Sequence, residues 1–137
     1  MTIQEAIYSY LSAYTALTAY TSNRIYPEYL PQTPKYPCVT YGKVSEEEVD
    51  TLEQPDTLIA PTIQFDCFAT SSSTAAAMGM VIRDAFKNYN GLMGGSSGVT
   101  VSAIDKVSSI HNTYTDSDGR IIAHVTSADY QIWYQEA

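Results

Sequence analysis

Apolar residues at Ile3, Ile7, Tyr10, Leu11, Tyr14 and Leu17 recur at helical spacing and fill about a third of a helical wheel, which predicts an amphipathic helix over residues 3–16. Thr2 with Glu5 fits a capping box at its start, and Tyr8 falls on its polar side. A second stripe, Ala77, Met78, Val81, Ile82, Ala85 and Tyr89, predicts a helix over Ala75–Asn88. Ser71–Thr74 supply its N-cap candidates and Asn90-Gly91 its stop, with Arg83 and Lys87 on the opposite face.

Between the helices the pattern changes. Arg24–Tyr26, Cys38–Val44 and Leu58–Ala69 read as strands, the last with Ile63, Phe65, Cys67 and Ala69 alternating with Thr62, Gln64, Asp66 and Phe68. After a flexible Gly94-Gly-Ser-Ser-Gly98 loop come two long runs, Val99–Tyr114 and Arg120–Tyr134, joined at Asp116-Ser-Asp-Gly119. Asp-Gly is a tight-turn signal, so these two runs predict a β-hairpin. In the final run the apolar set passes from Ile121, Ala123 and Val125 to Ala128, Tyr130, Ile132 and Tyr134, a phase slip of one residue near Ser127. Such a slip exchanges the two faces unless a bulge absorbs it or the hairpin tip leaves the sheet; a projecting arm on a packed base is the reading adopted. The expected fold class is α+β: a mainly antiparallel sheet of about four strands, two helices packed on one face and a projecting hairpin, in a single domain over residues 1–137.

Pro27, Pro31, Pro34 and Pro37 fall within eleven residues and make a stiff connection from the first helix into a strand. Each fixes φ and pushes the preceding residue, Tyr26, Leu30, Thr33 or Tyr36, toward extended backbone. Spacers of this kind position surfaces.

The chain has 137 residues, enough to bury roughly two-thirds of the surface its unfolded form exposes, so no disulfide staple is required. Cys38 and Cys67 both fall in strand runs; buried thiols are expected, with a disulfide between them left open. The start Met-Thr-Ile-Gln-Glu carries no basic region, and the longest nearly apolar run, Ala75–Ile82, meets Arg83, so neither a signal peptide nor a membrane span is expected. Seven basic against fifteen acidic residues give a formal charge of −8, which argues against tight binding of phosphate backbones.

Candidate chemistry is sparse. The run Glu46, Glu47, Glu48, Asp50, Glu53 and Asp56 holds six carboxylates in eleven positions with no basic residue. It lacks the central glycine and ligand spacing of a calcium loop, and so dense a like-charge block stays solvated, so a connection between strands with an interaction role is expected. His111 and His124 lie directly opposite one another if Ser117-Asp118 forms the turn, and are diagonal neighbours on one face if Asp118-Gly119 does. A metal site would need a third ligand, so a polar cross-strand pair is expected and no metal. No Gly-x-Ser-x-Gly elbow, phosphate-binding loop or spaced Cys, His and acid set occurs, and neither catalysis nor a cofactor is expected. Twelve tyrosines against three phenylalanines suit surfaces that become interfaces, with Tyr8, Tyr29 and Tyr36 the best-placed candidates for contacts between copies, together with His111 and His124.

Taken in order, the first helix, Arg24-Ile-Tyr-Pro27, Leu30-Pro31, Tyr36-Pro-Cys-Val-Thr-Tyr41, the polar loop, Ile63-Gln-Phe-Asp-Cys-Phe-Ala69, the helix Ala75–Asn88 and the Asp-Gly-Arg hairpin resemble the tail-completion, or tail-terminator, proteins of long-tailed bacteriophages. The resemblance spans nearly the whole chain, with Arg24, Ile25, Tyr26, Pro27, Pro31, Pro37 and Tyr41 matching the family's pattern at shape-setting positions. It implies a structural virion protein: a small α+β subunit forming a closed, six-membered ring that caps the finished tail tube and joins it to the head connector. Implied partners are further copies of the chain, the tail tube protein and a head connector or stopper protein. Duplex DNA would pass through the lumen without specific binding, the acidic 46–56 loop would face either the lumen or the tail tube, and no membrane is involved. The resemblance places the protein at the head-proximal end of the virion tail, after assembly in the host cytoplasm. The acidic 46–56 loop and the Gly-Ser insertion at 94–98 depart from the pattern. Another neck or head-tail connector component is the alternative, and a small-molecule-binding enzyme a more distant one.

Overall fold

A computed structural model describes residues 2–49 and 58–135. Its elements are α1 (Ile3–Ser12), α2 (Thr15–Thr21), β1 (Ile25–Pro27), β2 (Cys38–Val49), β3 (Leu58–Ala69), α3 (Ser72–Phe86), β4 (Gly91–Met93), β5 (Val99–Thr115) and β6 (Ile121–Gln135). The strands form one mixed six-stranded sheet in the order β1-β2-β3-β6-β5-β4, with β1 parallel to β2 and every other neighbouring pair antiparallel. The expected α+β class holds, with six strands in place of about four and three helices in place of two.

The expected first helix is two. Thr2 caps α1 by accepting from the Glu5 amide, Ala13 closes it, and Tyr14 takes extended backbone before α2 starts. Ile3, Ile7, Leu11 and Leu17 are all buried as the wheel predicts, because the apolar phase runs on across the break. Periodicity reports which side faces inward and says nothing of a change in axis. The Ser71 hydroxyl, accepting from the Thr74 amide, starts α3 three residues ahead of the expected Ala75.

All three helices cover one face of the sheet. There Phe65, Phe86 and Tyr130 pack ring to ring at 5.2–5.7 Å, and Tyr10 adds an edge contact to Tyr89 at 4.9 Å. The other face has its own smaller core of Cys38, Phe68 and Val125, covered by Tyr26, Leu30 and Tyr36. The proline-paced segment therefore acts as a lid on the second face as well as a spacer. Arg24 holds both its ends, its guanidinium donating to the Tyr20 carbonyl at the end of α2 (3.2 Å) and to the Pro37 carbonyl (3.0 Å).

This second core explains the phase slip in β6. The β3–β6 register runs from Phe65↔Ala128 through Asp66↔Ser127 to Phe68↔Val125 without a bulge. Ala123, Val125 and Ser127 are buried on the second face and Ala128, Tyr130, Ile132 and Tyr134 on the helix face, so the strand changes which side it buries while keeping strict alternation. Irregularities sit instead in β5, at Val101/Ala103, Lys106/Ser108 and Tyr114/Thr115. The projecting arm is present beyond Ala69↔His124, where among the described residues β6 pairs with β5 alone.

Gly94–Gly98 is a turn with a defined conformation that joins β4 to β5. Gly94 and Gly95 have φ of 95° and 85°, and the Gly98 amide donates to the Gly95 carbonyl at 3.0 Å. A side chain at Gly98 would meet the Met93 carbonyl oxygen, so only glycine closes this turn. Strand β4 is three residues long and its sequence gives no periodic signal; pairing with Val99–Val101 makes it a strand.

Candidate assembly surfaces

The first three carboxylates of the acidic run lie in a strand. Glu46, Glu47 and Glu48 extend β2, paired with Pro61, Ala60 and Ile59 of β3, so the connection starts after Val49. Asp50, Glu53 and Asp56 lie outside the described residues. Glu46 is exposed and bridges Lys43 at 3.2 Å, across the register shift between Lys43 and Ser45. Glu46–Glu48 thus carry the β2–β3 pairing toward the end of the sheet where Leu58 pairs with Gln135.

At the opposite end the histidine pair lies at the base of the β5–β6 arm. Thr113 faces His124 and His111 faces Thr126, so the rings are diagonal neighbours, stacked at 5.7 Å and 22°. The turn responsible runs from Asp116 to Arg120, its carboxylate accepting from the amides of Asp118 and Arg120. Among the described residues no group of three His, Cys, Asp or Glu side chains is placed to hold a metal. Along β5 and the arm Val107, Ile110, Tyr114, Ile121 and Ile122 are large, apolar and exposed. Beyond Val101, β5 has no strand on its outer side among the described residues. A free strand edge beside exposed apolar side chains is the kind of surface on which protein chains associate.

Of the tyrosines expected at interfaces, Tyr8 and Tyr29 are exposed, Tyr29 at 79%. Tyr36 instead lies half-buried, its ring 6.4 Å from Phe68, and desolvation raises its hydroxyl pKa. Tyr8 lines a 710 Å³ groove between α1 and the β1 edge, with Glu5, Ile25 and Pro27. The two cysteines are free and buried on opposite faces of adjacent strands: Cys67 in the main core, Cys38 in the second. Strand alternation directs their side chains apart, so no disulfide links them. Burial pushes the Cys38 thiol up to about 11 and that of Cys67 higher still, the reverse of what a nucleophile needs.

One surface went unnoticed in the sequence. On the helix face a 550 Å³ groove opens between α3 and the β5 edge, walled by Ala76, Met80 and Ile110 and flanked by Arg83, Lys106 and His111. It adjoins a 440 Å³ recess lined by Lys87, Ile104 and Tyr130. Gly79 lets α3 sit close to β6, since a Cβ there would lie 2.9 Å from Thr126 Cγ2. The sequence placed Arg83 and Lys87 on the polar side of a helix but gave no means of bringing Lys106 and Ile110 to them.

A profile of the family described as "Tail completion protein gp17" matches residues 5–101, more than half of the chain. Among curated proteins none matches the sequence. Among solved structures, a chain of the "Virion of native gene transfer agent (GTA) particle" superposes with a TM-score of 0.66 at 13% identity, covering 97% of this chain and 94% of its own. At that identity the likeness is one of fold. A second chain, at TM-score 0.42 and 12% identity over 96% of each, is too distant to add to it. With the fold in agreement, the family profile shows that the chain belongs to the tail completion protein gp17 family and is a structural protein of a phage-like tail.

Proposed function

We propose that the chain caps the head-proximal end of the tail tube and joins it to the head connector as a closed homo-oligomeric ring, with six copies as the family resemblance implies. Membership of the tail completion family carries this reading. The placement of the surfaces supports it. A cyclic assembly needs two different patches per subunit that fit one another, and here the aromatic groove at β1 and the apolar edge of β5 lie on opposite sides of the sheet. The charge of −8 per copy suits a passage for duplex DNA, because like charges keep the phosphates from adhering.

Electron microscopy of the purified protein mixed with tail tubes tests the reading. A ring seated at one tube end, which then recruits the connector, is the expected result. Binding to the connector alone, with bare tube ends, would make the protein a different neck component and overturn the proposal.

A further inference from the structure

In an acidic molecule, the cations are not spread evenly. Three of the seven basic residues, Arg83, Lys87 and Lys106, line the adjoining grooves between α3 and β5, and the larger groove has no carboxylate in its lining. Asp84, 3.8 Å from the Arg83 Nε, and Asp105 in the smaller recess offset part of that charge. The walls are apolar and open, with Met80 and Ile110 more than half exposed. The same chain carries a segment of the opposite character. Residues 46–56 bear six carboxylates and no cation, with Val49 and Leu52 set among them.

Resting on the ring reading above, we infer that the acidic 46–56 segment of one copy docks in the basic, apolar-walled groove between α3 and β5 of the next. A chain's own segment does not reach its own groove. The segment leaves the sheet where Leu58 pairs with Gln135, whereas the groove runs alongside Tyr130 to Thr126. That is about 17–30 Å back along β6, while residues 50–57, leaving and returning at one sheet end, extend at most about 14 Å. Two complementary patches that do not meet within one molecule meet between two, and a contact of one patch with a different patch closes into a ring. Duplex DNA is the less suited occupant, since three cations on a chain of net charge −8 release few counterions.

Charge exchange tests this. Arg83→Glu with Lys106→Glu reverses the groove, and Glu47→Lys, Glu48→Lys and Asp50→Lys reverse the segment. Assembly is read by analytical ultracentrifugation, alone and on tail tubes. Each set is expected to weaken assembly by about tenfold or more, as for close interfacial charge pairs. Joining both sets in one chain, or mixing the two variants in equal amounts, is expected to restore it, a result that misfolding would not give. Wild-type assembly in either variant, or no restoration, overturns the inference while leaving the ring reading intact. So does groove-dependent retention on immobilised duplex DNA with assembly unchanged. A wild-type protein that forms no ring, free or on tubes, overturns the ring reading and this inference with it.

Discussion

At the scale of single residues, the close approach of α3 to β6 rests on Gly79. Alanine there gains helix propensity but drives a methyl to 2.9 Å from Thr126 Cγ2, in a strand that does not yield. Gly79→Ala is expected to lower stability by about 1 kcal/mol in denaturant titration, with Thr126→Ser, which removes that methyl, recovering most of the loss. Tyr130 presents a different case. Its ring lies in the core, its hydroxyl has no hydrogen-bond partner among the described residues, and desolvation pushes its pKa up to about 12; burial does the same for Tyr41. A raised folded pKa means that the unfolded chain loses its proton first, near 10, so these groups leave stability intact below about pH 10 and withdraw it as pH rises toward 12. Tyr130→Phe is expected to keep the thermal midpoint at pH 7 unchanged or higher, and to move alkaline unfolding, followed by circular dichroism, to higher pH.

At the scale of elements, the segment between β1 and β2 depends on one side chain. Arg24 donates to carbonyls at the end of α2 and at Pro37, so it fastens the lid over Cys38, Phe68 and Val125 at both ends. Arg24→Ala is expected to cost about 2 kcal/mol, the range for hydrogen bonds made by a charged group, and to open residues 28–37 to limited proteolysis before the helix face is lost. Thermal unfolding together with mapping of the first cleavage site checks both parts. If the first cut falls in α3 or β6, the lid has its stability from elsewhere. The role these contacts give Arg24 is architectural. Its partners are thirteen and four residues away, and only the path of the chain between them shows why it is needed.

At the scale of the whole molecule, two electrostatic effects act on assembly with opposite signs. Copies of charge −8 repel one another at long range, whereas opposed patches attract only at contact. Salt separates the two because the screening length falls from about 30 Å at 0.01 M to about 10 Å at 0.1 M and about 3 Å at 1 M. Assembly measured by sedimentation is expected to strengthen from about 0.01 to 0.1 M salt, as long-range repulsion is screened, and to weaken toward about 1 M as contact pairs are screened too. Strengthening throughout the range would leave only apolar contacts between copies, and the docking of 46–56 in the groove would fail with it.

Periodicity and local chemistry along the chain encode the inward faces of α1 and α3, the Thr2 cap, the limits of β3, the β5–β6 hairpin and the order of elements that carries the family resemblance. It could not show that one apolar stripe bends at Ala13–Tyr14, because the phase is continuous there, or that Gly91–Met93 is a strand, because three residues have no period of their own. The slip at Ser127 was visible but ambiguous. Only the tertiary structure decided it, by laying Tyr26, Leu30 and Tyr36 over a second face and so giving Val125 somewhere dry to point. The acidic run was plain in the sequence, and the groove of opposite character was not. Arg83 and Lys106 lie on elements separated by a turn and a short strand, and only the packing of α3 on the sheet sets them around one groove. Charge along a chain is local information, whereas charge across a surface depends on which distant residues the fold makes neighbours.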